Sequence, residues 1–237
     1  MPADDTPVFE PFARDYEQHA EISAHNALYD RPAVLELCGD VRGRRVFDAG
    51  CGPGLYAEEL LARGARAVEG VDASATMVSL ASDRVRERAS FRVHDLQQPL
   101  TWIESGSFDV AVMALVIHHL DDRVAALREL HRILTPEGAL VVSTHHPTQD
   151  FLHRGGSYFE VSVIEETWKR DWNVRFWRMP LTVIVGEFAD AGFVIERLVE
   201  PLPVPEMAER YPDDYRMLQR EPGFIAFRLV KRNPPRS

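Results

Sequence analysis

The run Val46-Phe47-Asp48-Ala49-Gly50-Cys51-Gly52-Pro53-Gly54 holds residue types that could do chemistry, and a second acid waits at Asp72. Glycines at 50, 52 and 54, entered from an apolar stretch and left through an amphipathic one, make a turn where bare backbone meets a ligand. Gly50 and Gly52 match the start of the dinucleotide fingerprint G-x-G-x-x-G, but its third glycine would fall on Leu55. Three further sets follow: Asp95-Leu96, His118-His119 and His145-His146. An imidazole at a strand end can take a proton from a substrate hydroxyl or amine, and His118 is the residue placed for that role. His119 and His146 suit local turn hydrogen bonds as well as they suit chemistry. No metal site is expected, since no acid or cysteine stands at ligand spacing beside these histidines. Cys51 reads as a small residue packed beside the backbone, because no partner base is in view.

Elements that would position these residues are legible in the hydrophobic pattern. Arg45 to Asp48 predicts a first strand, and Pro53 suits the first turn of the helix that carries Leu55, Leu60 and Leu61 and stops at Gly64. Ala67 to Val71 is a second strand ending at Asp72, after which Ser74 can cap a helix running through Met77 and Leu80. Phe91 to Val93 makes a third strand. Phe108 to Val116 makes a fourth, apolar enough for burial on both faces. Asp121 and Asp122 open a helix with Leu127, Leu130 and Leu134 on one side, closed by Thr135-Pro136-Glu137-Gly138, and Ala139 to Ser143 is the fifth strand. This alternation means a parallel sheet with right-handed crossovers, whose ligands sit at the carboxyl ends of the strands.

The flanks differ. Residues 1–44 read as a helical cap, containing Tyr16, Tyr29, Arg31 and Pro32. After Pro147 the alternation breaks at Arg154-Gly155-Gly156. Tyr158 to Trp168 and Trp172 to Trp177 then predict a hairpin around a Lys169-Arg170-Asp171 bend. Trp168, Trp172, Phe176 and Trp177 are its buried face or an aromatic lid. A helix near 181–191, a Pro-rich loop at 201–205 and strands near 194–199 and 224–230 finish the chain. The run Arg84-Val85-Arg86-Glu87-Arg88 reads as a solvated helix end, and the basic tail through Arg236 as a solvated terminus.

Composition narrows the classes. The 237 residues are 45% hydrophobic and 27% charged, as in an ordinary globular protein long enough for a sizeable core. A formal charge of −10 argues against a nucleic-acid partner, whose phosphates need a basic footprint. Asp4 and Asp5 sit where a secretory signal would be basic and then apolar. The longest apolar run, Val110 to Ile117, is too short to cross a bilayer. The only cysteines, Cys38 and Cys51, are no disulfide framework, so a reducing, cytoplasmic setting is expected.

The segment Asp48 to Gly54 resembles motif I of the class I S-adenosylmethionine-dependent methyltransferases. Val71-Asp72, His94-Asp95-Leu96 and Phe108-Asp109-Val110 through Ile117-His118-His119-Leu120 are similar to the later motifs in order and spacing. Leu130 to Gly138 resembles the helix and turn before the fifth strand, so the likeness covers roughly residues 40–147, nearest to small-molecule enzymes such as those of quinone biosynthesis. It implies an α/β, Rossmann-like, doubly wound sheet of seven strands, mostly parallel, with the last strand antiparallel. It implies one domain over 1–237: cap 1–44, cofactor core 45–147, hairpin insert 148–185 over the substrate, and C-terminal strands 186–237.

The implied cofactor is S-adenosylmethionine, leaving as S-adenosylhomocysteine, with contacts from Asp48, Ala49, Gly50, Cys51, Gly52, Gly54, Asp72, Ala73, Met77, Asp95, Leu96, Ala114 and Leu115. Asp48 can accept from the ligand ammonium, loop N–H groups can receive its carboxylate near a helix start, and Asp72 can accept both ribose hydroxyls. Asp95 and the Leu96 N–H suit the adenine edge, and Met77 suits its face. Tyr16, Tyr29 and Arg31 are placed near the methionine end or the acceptor. The expected reaction is methyl transfer to a nucleophilic atom of a small molecule, by a monomer or homodimer with no membrane partner. A non-catalytic binder of the same cofactor is the alternative; a nicotinamide-dependent oxidoreductase would want a glycine at Leu55.

Overall fold

The computed structural model describes residues 6–168 and 171–232. Expectations placed on Asp4 and Asp5, on Lys169-Arg170 and on the tail beyond Arg232 lie outside these residues. The main sheet has seven strands in the order β3-β2-β1-β4-β5-β9-β8, formed by β1 (Arg45–Ala49), β2 (Ala67–Asp72), β3 (Ala89–Val93), β4 (Phe108–Ala114), β5 (Leu134–His145), β8 (Phe193–Val199) and β9 (Phe224–Lys231). Strands β3, β2, β1, β4 and β5 pair in parallel. The last strand, β9, runs antiparallel to both neighbours, β5 and β8. The strand order reverses between β1 and β4, which places a ligand crevice at their carboxyl ends.

Burial on both faces explains the apolar runs. Along each strand successive side chains point to opposite faces. Val46, Val110, Val112 and Val141 therefore pack against α2 (Arg31–Cys38) and α3 (Leu55–Ala62) through Val34, Leu37, Leu60 and Leu61. Their neighbours Phe47, Ala111, Met113 and Leu140 pack on the other face against α5 (Arg123–Ile133) and α7 (Leu181–Asp190) through Leu127, Leu130, Ile184 and Phe188. Helix α4 (Ala75–Val85) links β2 to β3, and the Ser74 side chain caps it by accepting from the Met77 N–H at 3.0 Å.

Local details depart from the predicted ones. Helix α3 begins at Leu55 with Gly54 as its N-cap in the left-handed region, so Pro53 lies in the turn before it. Leu134 belongs to β5 and stays buried in the sheet, because that strand begins before Ala139. Helix α6 (Pro147–Arg154) fills the stretch where the alternation broke. Two short helices, α8 (Glu206–Arg210) and α9 (Pro212–Leu218), follow the Pro-rich loop.

The flanking segments cover the carboxyl edge of the sheet. Strands β6 (Ser162–Trp168) and β7 (Trp172–Arg178) form the antiparallel hairpin. Trp172, Val174 and Phe176 are its buried face, set against Phe12, with the Phe12 and Trp172 rings stacked 5.1 Å apart. Helix α1 (Ala13–Ile22) lies against α4. Arg84 is thus no solvated helix end: its guanidinium reaches Glu17 at 2.9 Å, Glu58 at 3.2 Å and Glu21 at 3.7 Å. Glu10 adds a second tie, its carboxylate accepting from the Ser74 and Thr76 hydroxyls, and these bonds hold it below the usual carboxylate range. Among the described residues no helix is long and apolar enough to cross a membrane. Replacing Arg84 with alanine removes one anchor of the cap. Amide exchange over residues 13–22 should then quicken by roughly threefold to tenfold, as for loss of a half-buried ion cluster, while exchange in β4 stays unchanged.

Candidate functional site

The tip of β2 shapes the glycine loop. The Val71 carbonyl accepts from the Gly50 and Cys51 N–H groups, each at 2.8 Å. Asp72 continues the clamp: one carboxylate oxygen accepts from the Gly52 N–H and the other from the Ser74 N–H, both at 2.9 Å. The Gly54 N–H turns back to the Cys51 carbonyl. These four loop N–H groups are therefore already engaged, three by β2 and one within the loop. Gly50, with φ of 81°, sits where an added Cβ would lie 2.4 Å from a Val116 methyl. Gly52, with φ of 49°, has nothing within 4 Å of such a Cβ, so it faces open space.

Among the described residues, three buried polar atoms near the loop have no hydrogen-bond partner: Asp48 Oδ2, Asp30 Oδ1 and Arg31 Nε. Buried groups of this kind cost free energy unless something completes them. Burial, reinforced by the charge of Asp72, pushes the Asp48 carboxyl up to about 7. Burial raises Asp30 to about 6, even though the Tyr56 hydroxyl donates to its other oxygen. Asp30 and Arg31 sit at the end of a π-helical turn, Asn26–Asp30, between α1 and α2. With Tyr16, Tyr56, Gly50, Gly52, Ala114 and Leu115 they line a narrow cleft of about 60 Å³. A ligand carrying an ammonium and a carboxylate fits this donor and acceptor set. Asp30, Asn26 and Tyr56 were not singled out in the sequence, because nothing local marks a helical polar residue as buried.

The other predicted contacts distribute along the same edge. Ala49 is fully buried beside Asp48, and Cys51 is buried with its thiol raised well above its ordinary value, which fits an inert packing role. Ala73 follows Asp72 before the Ser74 cap. Met77 is buried with Ala13 and Leu80, with Phe9 and Tyr16 packed against them. Leu96 is buried in the main core, whereas Asp95 is exposed and accepts from the Gln97 N–H at 2.9 Å. Tyr29 stands apart: fully buried, its hydroxyl accepts from the Gly223 N–H at 3.0 Å, a structural contact.

A second cavity of about 470 Å³ adjoins the cleft, and Tyr16, Asn26 and Leu115 line both. Leu115 holds the seam with φ of 56°, a left-handed conformation that a leucine adopts only under constraint. Its N–H donates to the Ser143 carbonyl at 3.1 Å. The two histidine pairs do meet, through His145 rather than His146. His118 stacks on His145 at 4.2 Å, and His119 lies 4.3 Å from His118. His118 Nδ1 pairs with Thr144 Oγ1 at 3.0 Å, and His119 Nδ1 with the Arg175 carbonyl at 2.8 Å. Burial pushes all three imidazoles down, His119 and His145 to about 4, so each is neutral at pH 7. His146 turns away, capping α6 and reaching Glu200 at 2.9 Å. Among the described residues no three His, Cys, Asp or Glu side chains are placed to hold a metal ion.

The two glycines make a clean contrast, since both carry positive φ. Gly50→Ala should cost about 1–3 kcal/mol more stability in urea unfolding than Gly52→Ala, because only the former meets Val116. Gly52→Val should fold yet lose affinity for S-adenosylhomocysteine.

Residues 47–142 match the family described as "Methyltransferase domain". An uncharacterized protein of Haemophilus influenzae is 24% identical over 227 residues, covering 87% of this chain and 88% of that one. A ubiquinone biosynthesis O-methyltransferase of Neisseria meningitidis is 32% identical over 122 residues, covering 48% of this chain and 50% of that protein, so this likeness spans about half of each. Among solved structures, a putative S-adenosylmethionine-dependent methyltransferase from Listeria monocytogenes superposes with a TM-score of 0.75 at 19% identity, covering 86% of this chain and 97% of that one. A Burkholderia thailandensis 1,6-didemethyltoxoflavin-N1-methyltransferase with bound 1,6-didemethyltoxoflavin and S-adenosylhomocysteine superposes with a TM-score of 0.64 at 18% identity, covering 95% and 88%. With the sheet order, the antiparallel final strand and the glycine loop at the tip of β1, these matches place a methyltransferase domain at residues 47–142, within the Rossmann-like fold of S-adenosylmethionine-dependent methyltransferases.

Proposed function

We propose that the chain transfers the methyl group of S-adenosylmethionine to a small-molecule acceptor held in the 470 Å³ cavity. The observation that carries this reading is the shared wall: Tyr16, Asn26 and Leu115 border both the narrow cleft and the larger cavity. A donor end in one and an acceptor in the other would meet at that seam. The structure of the Burkholderia enzyme, with 1,6-didemethyltoxoflavin and S-adenosylhomocysteine bound together, supports a small acceptor held with the cofactor.

When bound, the cofactor supplies an electrophilic methyl on a sulfonium, already a good leaving group. The chain's own residues have to position and exclude water, which can lower a barrier by roughly 7–11 kcal/mol. Arg31 Nε and the carboxylates of Asp48 and Asp30, whose buried atoms lack a partner among the described residues, would hold the amino-acid end. Asp72, whose two oxygens each retain a free lone pair beyond the loop bonds, would accept from the ribose hydroxyls. Met77, Asp95 and Leu96 would flank the adenine. Phe9, Phe12 and Trp172 close the roof. At the acceptor, His118 offers Nε2, since Nδ1 is committed to Thr144, and the proton released on methylation would pass to it.

Thermal-shift titration tests the cofactor reading: S-adenosylhomocysteine should stabilise the chain and NAD should not. Asp72→Ala should weaken S-adenosylhomocysteine by about 1.5–3 kcal/mol, roughly tenfold to a hundredfold, in calorimetry. A pH signature follows from Asp48. Its carboxyl is raised to about 7, and an ammonium beside it favours the ionised form. Binding should therefore tighten as pH rises through 7 and release a proton, seen as a dependence of the measured heat on buffer ionisation. Asp48→Asn should abolish that component and, freed of a buried charge, melt at a higher temperature above pH 7 in the absence of ligand.

A further inference from the structure

The lining of the larger cavity narrows the acceptor itself, an inference that rests on the cofactor reading above. One wall is a stack of rings: His118 on His145 at 4.2 Å and 22°, then His145 on Phe224 at 5.9 Å and 13°. Indoles of Trp168 and Trp172 complete the apolar surface. Flat rings of this kind reward a flat partner with offset or edge contacts beyond simple area burial.

The polar groups facing the cavity are neutral or already paired. His145 makes no hydrogen bond to the described residues through either ring nitrogen, so it is free to meet an acceptor hydroxyl or ring N–H. Asn26 and Gln149 contribute amides. Arg154 also reaches the cavity, but its guanidinium is held by Glu166 at 2.7 Å and Asp150 at 3.4 Å, and lies over the Phe176 ring. His153 stands 3.8 Å from Glu221. An anionic acceptor would find no unpaired cation among the described lining residues and would face two carboxylates. Burying a charge without a partner is strongly unfavourable. A cationic acceptor would have to draw Asp150 or Glu166 away from Arg154.

We propose that this cavity takes an uncharged planar aromatic acceptor, laid against the His118–His145–Phe224 stack with a hydroxyl or ring N–H bonded to His145 and its reacting atom toward His118. Naphthol, naphthalenesulfonate, naphthylmethylammonium and decahydronaphthol are one size and differ in charge or planarity. Quenching of tryptophan fluorescence is titrated with each, with and without S-adenosylhomocysteine, near neutral pH. Naphthol should bind saturably, and each of the other three at least about tenfold more weakly. Glu166→Gln, which loosens the hold on Arg154, should raise naphthalenesulfonate affinity by about threefold or more while leaving the affinity for S-adenosylhomocysteine unchanged. The proposal is overturned if any of the other three probes matches naphthol, if naphthol does not bind, or if Glu166→Gln gains nothing for the sulfonate. Naphthol binding without any S-adenosylhomocysteine binding would leave this cavity assignment standing and overturn the cofactor reading instead.

Discussion

The tip of β2 governs the ligand edge. One backbone carbonyl at Val71 and one carboxylate at Asp72 together receive three consecutive N–H groups of the loop after β1. The same carboxylate receives the first N–H before α4. Two strand ends, a glycine turn and a helix start are thereby locked to a single short segment. The loop cannot shift to meet a ligand without breaking several bonds in a half-buried setting. Rigidity at this point converts an otherwise mobile turn into a preformed wall, which is what positioning catalysis requires.

That economy has a counterpart on the other side of the cleft. Because the Gly50, Cys51 and Gly52 N–H groups are taken up by β2, the proposed hold on a charged amino-acid end draws on side chains, Asp48 from β1 and Asp30 and Arg31 from the helical cap. The π-helical turn at Asn26–Asp30 inserts an extra residue between two helices and carries Asp30 and Arg31 to the cleft. Irregular turns of this sort recur at functional sites because they re-aim side chains a regular helix would direct elsewhere. The cap is in turn fastened by Arg84 and Glu10, so the roof over the site depends on ion pairs and hydroxyl bonds as well as on apolar packing.

Much of the core was legible in the sequence. Period-two and continuous apolar runs marked the strands, and Ser74 and Asp122 cap the helices they were expected to cap, because a side-chain oxygen before an amphipathic run has few other uses. The resemblance carried the seven-stranded sheet and its antiparallel last strand, which no local pattern encodes. Features that depend on distant partners were hidden. Arg84 looked solvated because its three acidic partners come from helices remote in the chain. Nothing in the sequence marked His145 for the cavity, where its ring stacks on His118, while His146 turns toward Glu200. The short helices α8 and α9 have too few residues for periodicity to show.

A leucine held at a φ of 56° stores on the order of 1–2 kcal/mol that a glycine would not. The surrounding strands β4 and β5 over-determine that conformation through the bonds to Ser143. The Cα–Cβ bond of Leu115 is thus aimed by the backbone at the seam that both cavities share. A side chain that borders both cavities is therefore rooted in a backbone that resists re-aiming, so the wall between them is set by main-chain geometry.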